Sequence, residues 1–264
     1  MPFFNPTSST LPLKGKTLVV PVVSTANVSQ LAADLLIATL ELQCIGVFDS
    51  SFLVPALGGR EDGDGVTTPM ELYGSSDLNV LVIQQRSPAL KSHKQEFVSA
   101  LLEFIATSGV AAALFLSGVD LSNRTDDQMA TPTYHLLAGP SQALESTPLA
   151  RLLQLPISAY TSPVSQYPQN HPAAAAQSAA DNSVPFIPGG SLMRRIFQTL
   201  SKSPQSVAIA GLLQFVLEGD NRADAALLAS AVVATLEIKI VGFKEPQSWK
   251  RGLFGPPPDE SIYN

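Results

Sequence analysis

Between Thr17 and Phe48 the sequence changes its period twice, and that change limits the folds open to it. TLVVPVV, from Thr17 to Val23, is an apolar, β-branched run of the length and texture of a strand buried on both faces. STANVSQ follows and supplies Ser, Thr and Asn as helix N-cap candidates. Val28, Leu31, Ala32, Leu35, Leu36 and Thr39 then fall at i, i+3, i+4, i+7, i+8 and i+11, one largely apolar helical face. CIGVF, opening at Cys44, returns as a strand. Strand, helix and strand over about 30 residues predict a βαβ unit with parallel pairing and a right-handed crossover.

The alternation repeats. LNVLVIQQR reads as a strand, Lys91 to Thr107 as a helix with Phe97, Leu101, Phe104 and Ile105 inward, and VAAALFLSGV as the next strand. Runs such as Val110 to Leu116, apolar throughout, need helices on both faces, so the expected class is an α/β sandwich. FIPGGSLMRRIFQTL turns at Gly189-Gly190 and starts a helix near Ser191. QSVAIAGLLQFVLEGDN reads as a further helix closed by Gly219, and Asn221 with Asp224 makes a capping-box-like start for RADAALLASAVVATL. The chain has 264 residues, 45% of them hydrophobic, enough for one large core, and residues 1–255 are expected to form a single domain. Residues 156–185, rich in Pro, Ala, Ser, Gln and Asn, interrupt it as a surface insertion expected to be mobile in whole or in part, its AAAA making at most a short helical turn.

Several function classes fall away. The apolar runs are shorter than the roughly 20 residues of a membrane-spanning helix. MPFFNPTSSTLPLKGK lacks a basic leader and a cleavage-like site, so the expectation is an intracellular protein. One cysteine, Cys44, excludes an internal disulfide and agrees with a reducing compartment; inside CIGVF it reads as a buried thiol. A net charge of −6 with scattered basic residues argues against nucleic acid and anionic membrane. GKT at Gly15 to Thr17 lacks the P-loop's first glycine, since position 10 is Thr10, and it precedes a strand. No G-x-G-x-x-G follows a predicted strand. GGSLM has Met193 where a nucleophile elbow has glycine. His93, His135 and His171 lack metal-ligand spacing and read as surface histidines. Glu61-Asp62-Asp64 and Asp126-Asp127 read as solvated turn residues without calcium-loop spacing. No catalytic, cofactor or metal site is expected.

VVPVVSTANVSQLAADLLIATL, IGVFDSSFLVPALGG, FIPGG, FVLEGDNRADA and SWKRGLFG, in this order and spacing, resemble the proteasome assembly chaperone 2 family. The likeness covers most of Lys14 to Gly255, apart from residues 60–68 and the insertion, and EGDN on a helix corner is its most specific fragment. It implies a three-layer α/β sandwich with a mostly parallel central sheet, similar to the nucleoside phosphorylase-like fold, and a chaperone without enzymatic activity. It also implies partners: assembly chaperone 1 in a heterodimer, and the α-subunits of the 20S proteasome ring. The compartment expected is the cytoplasm, with the nucleus as a second one. An α/β enzyme with a nucleoside phosphorylase-like pocket is the alternative, although a fold alone warrants no activity.

The family resemblance gives meaning to the last residues, GPPPDESIYN. Ile262, Tyr263 and Asn264 match the hydrophobic-tyrosine-any tripeptide that proteasome activators and some members of this family insert between neighbouring α-subunits. Pro256-Pro257-Pro258 should hold residues 256–264 as an extended tail. Tyr263 offers an aromatic anchor, Ile262 an apolar one, and the terminal carboxylate a charge-assisted partner for a pocket lysine.

Overall fold

The computed structural model describes residues 2–7, 11–60, 65–163 and 184–251. Their strands are β1 (Phe4–Pro6), β2 (Thr17–Pro21), β3 (Gln43–Phe48), β4 (Gly58–Gly59), β5 (Val66–Thr67), β6 (Met70–Gly74), β7 (Val80–Gln85), β8 (Ala112–Asp120), β9 (Thr133–Leu137) and β10 (Ala208–Val216). The α-helices are α1 (Val28–Thr39), α2 (Lys94–Thr107), α3 (Ser191–Lys202) and α4 (Arg222–Thr235). Eight strands form one mixed sheet in the order β1-β3-β6-β7-β2-β8-β10-β9, while β4 and β5 make a separate two-stranded ribbon. The four central strands, β7, β2, β8 and β10, are mutually parallel, and every pairing outside them is antiparallel.

Side-chain alternation divides the core into two slabs. Leu18 and Val20 of β2 join Ala113 and Phe115 of β8 on one face, beneath Phe97 and Leu101 of α2 and Ile196 and Phe197 of α3. Val19, Leu114 and Leu116 point to the other face, beneath Leu35 and Leu36 of α1 and Leu228 and Val232 of α4. Helices therefore cover both sides, the arrangement that lets β8 be apolar along its length. Most of the predicted inward set of the first helices holds: Val28, Ala32, Leu35 and Leu36, and Phe97, Leu101, Phe104 and Ile105, are buried, while Leu31 and Thr39 at the edges of the α1 face are half-buried.

Three local expectations are corrected. β3 does not lie beside β2: β6 and β7 separate them, and the strand directions leave β3 running the same way as β2 with two strands between. Residues 208–216 are a strand, not a helix. They pair with β8 on one side and β9 on the other, and that position in the sheet overrides the helix preference of Ala and Leu. Asn221 does stand at the start of α4, yet its side chain makes no cap bond there; its amide Nδ2 donates to Gly219 O at 2.8 Å.

The expected insertion is also narrower than its composition suggests. Residues 164–183, with the AAAA tract, lie outside the described residues. The flank before them packs: His135 N–H donates to Ser158 O, Tyr160 N–H donates to His135 O, and the Tyr160 ring is buried against Tyr134 and Phe215.

Candidate functional site

Two of the family-like fragments, VVPVVSTANVSQLAADLLIATL and FVLEGDNRADA, meet at the carboxyl ends of the central strands. Ser24 Oγ, just past β2, accepts the Gly118 N–H at 2.7 Å and donates to Val22 O. Ala26 and Asn27 turn the chain into α1 with left-handed backbone angles, φ 59° and 50°. Glu218 of EGDN accepts the Ala26 N–H at 3.0 Å. The neighbouring residues answer one another, Asp220 pairing with Arg222. EGDN is thus a clamp between the loop after β10 and the loop after β2, a structural role that does not require a ligand.

A second constellation lies on the α1 face of β6 and β7. The antiparallel register sets Glu71 opposite Gln84 and Tyr73 opposite Val82, so Glu71, Tyr73, Gln84 and Arg86 share one face. Glu71 has no exposed side-chain surface, and its charge is answered three times: by Arg60 Nη2 at 2.7 Å, by the Tyr73 hydroxyl at 2.6 Å and by the Thr68 N–H at 3.0 Å. Gln30 and Asp34, one turn apart on α1, complete the set. Gln84 Nε2 donates to Asp34 Oδ1 at 2.6 Å and to Gln30 O at 2.9 Å, and Arg86 Nη1 stands 3.7 Å from Asp34. Burial, and then the Glu71 carboxylate, push the Tyr73 phenol above its usual range.

This network floors a cleft of 690 Å³. Ile37 and Leu42 line it from the end of α1, Ala56 and Leu57 from the approach to β4, and Lys244 to Ser248 from the segment after α4. Lys244 is tied to the cleft's rim through its N–H to Thr39 Oγ1 and its ammonium to Glu41. Leu57 is 77% exposed and Val66 54%, so the ribbon displays apolar side chains to water.

The residues expected to dock on a partner, Ile262, Tyr263 and Asn264, lie outside the described residues, as do Pro256 to Pro258 and the acidic positions 61–64. The described residues end in a 3-10 turn, Gln247–Arg251, anchored by the buried Trp249. His93 lies in the turn before α2; His135 donates from Nδ1 to Ile157 O at 2.7 Å; His171 is outside the described residues. Cys44 corrects its expectation: it is half-buried, and Arg60 Nη2 lies 3.6 Å from its Sγ. Sequence reading missed the Glu71 network. Its one signal is a charged residue inside the strand-like MELYG, which calls for a cation that only the fold supplies, from eleven residues upstream.

Comparison with known proteins agrees with the fold and with the fragments. The model of the PAC2 family matches residues 18–233. Proteasome assembly chaperone 2 of Danio rerio is 30% identical over 255 residues, covering 92% of this chain and 92% of its own. That of Xenopus laevis is 31% identical over 251 residues, 90% and 91% of the two chains. Among solved structures, Pyrococcus furiosus PbaB, an archaeal proteasome activator, superimposes with a TM-score of 0.59 over 91% of each chain at 13% identity, a likeness of fold. A family match across more than three quarters of the sequence, seen also in whole-length relatives, leaves one reading: the chain belongs to the PAC2 family, among the proteasome assembly chaperones.

Proposed function

We propose that this protein is a chaperone for assembly of the 20S proteasome, working as a heterodimer with assembly chaperone 1 on the α-ring. The carrying observation is the whole-length similarity to proteasome assembly chaperone 2. Exposed apolar side chains give the partner a surface: Leu227 on α4 is 44% exposed, and Val241 after α4 is fully exposed. The proposed site of work is the cytoplasm, with a nuclear pool. The enzyme alternative gains no support from the cleft, where the carboxylates Glu71 and Asp34 are already answered by Arg60 and Arg86.

The tail is the proposed attachment to the ring. Ile262 fills the apolar mouth of a pocket between α-subunits, the Tyr263 ring packs beneath it, and the carboxylate on Asn264 pairs with a lysine of the pocket. One such tail binds weakly alone and gains from effective concentration once the body is seated. Removing residues 262–264, or adding one glycine after Asn264, is expected to weaken binding to 20S precursors by about tenfold or more, while light scattering still finds the heterodimer. Unchanged binding by both variants refutes the tail's role. A soluble monomer with no affinity for its chaperone 1 counterpart refutes the heterodimer.

A further inference from the structure

We propose that the cleft floored by Arg60 and Arg86 is a peptide-binding site whose occupant is the chain's own segment 252–264. A volume of 690 Å³ falls within the roughly 300–1,000 Å³ of sites that bury most of a bound molecule. The two guanidiniums are 19% and 31% exposed at the side chain and are held in place by Glu71 and Asp34, so their remaining N–H edges meet a carboxylate already oriented. Beside them Ile37, Leu42 and Leu57 form an apolar wall, and Leu57 shows 77% of its surface to water.

The occupant follows from where the described chain stops. Lys244 to Ser248 are themselves a wall of the cleft, Trp249 is buried, and the segment beyond Arg251 is tethered at the rim. Residues 252–264 carry Leu253, Phe254, Ile262 and Tyr263 for the apolar wall and Asp259 with Glu260 for the arginines, and they contain no lysine or arginine. Extended at about 3.1 Å per residue, thirteen residues can span roughly 40 Å. Tethering supplies an effective concentration on the order of millimolar, so even a weak site is filled. The cleft's acidic groups Asp34, Glu41 and Glu245 do not repel the segment outright, because Asp34 faces Arg86, Glu41 faces Lys244 and Glu245 lies within electrostatic reach of Arg222. Docking here withholds the tail from other partners, a consequence that rests on the tail's proposed role, whereas the docking itself does not.

The test uses the full-length protein with Cys44→Ser and a nitroxide attached at Ser261→Cys. Amide signals from residues 56–60 and 244–248 should be lost to paramagnetic broadening. They should return with Leu57→Asp, a change at an exposed position, and on adding unlabelled 252–264 peptide. Broadening absent from these residues, or unaffected by Leu57→Asp and by the peptide, overturns the proposal. The measurement contains no proteasome, so it stands or falls apart from the tail's role on the α-ring.

Discussion

Arg60 Nη2 lies 2.7 Å from Glu71 Oε1, and Glu71 is a carboxylate with none of its side chain exposed. The pair joins the residue just after β4, within the β4–β5 ribbon, to the core of β6, so breaking it strands a charge in the interior. Arg60→Met is expected to destabilise by about 3 kcal/mol, the low end for a broken buried pair, because Tyr73 and the Thr68 N–H still hold the carboxylate. Arg60→Met with Glu71→Leu should recover most of that loss, since an apolar pair of similar volume is often neutral. Urea denaturation of the three proteins checks both, and a double variant no better than Arg60→Met alone refutes the account.

Much of this fold is legible in the sequence because its signals are local. α1 and α2 announce themselves by a 3.6-residue period, α2 burying its predicted residues and α1 all of its set but the half-buried Leu31 and Thr39. β10 does not: AIAGLLQFV is an apolar run without a period, and only its place between β8 and β9 makes it a strand. Partners also escape sequence reading where the pairing is distant. Glu218 reaches Ala26 across 192 residues and Gln84 reaches Asp34 across 50, separations that no motif spacing records. The candidate site was legible only through its family resemblance, and it falls on residues outside those described.

Tyr73 and Tyr160 predict alkaline sensitivity. Burial raises both phenols above their usual value, and Glu71 adds to the effect on Tyr73. A raised folded-state pKa means that above pH 10 or so the unfolded chain releases protons the folded chain keeps, so stability falls as pH rises. The slope is about 1.4 kcal/mol per pH unit for each tyrosine titrating only in the unfolded state. Stability measured by denaturant between pH 9 and pH 11 should fall less steeply in Tyr160→Phe, and an identical slope would count against the prediction.

Two glycines separate crowding from backbone strain. A Cβ on Gly118 would sit 2.5 Å from the carbonyl oxygen of Thr25, which cannot move without the turn into α1, whereas a Cβ on Gly15 meets nothing within 4 Å but carries φ +81°. Gly15→Ala is expected to cost about 1 kcal/mol from its left-handed backbone alone. Gly118→Ala should cost about 3 kcal/mol from overpacking. Thermal melts that rank the two in the opposite order would show that the Ser24 to Asn27 turn yields more readily than its bonds to Gly118 and Glu218 imply.

The stretch between β9 and α3 gives a prediction in two parts. Tyr160 is buried, donates its hydroxyl to Phe186 O at 3.0 Å, and packs its ring on Phe215. Ser158 and Tyr160 also meet the backbone of His135, which covers the outer edge of β9. Replacing residues 164–183 with a short Gly/Ser linker should change stability by less than about 1 kcal/mol, since a loop's closure entropy varies slowly with its length. Replacing 157–184 removes Tyr160 as well and should cost about 3–5 kcal/mol, the range for deleting a large buried aromatic. Equal stabilities for the two replacements would place Tyr160 outside the core that its contacts with Tyr134, Phe215 and Phe186 describe.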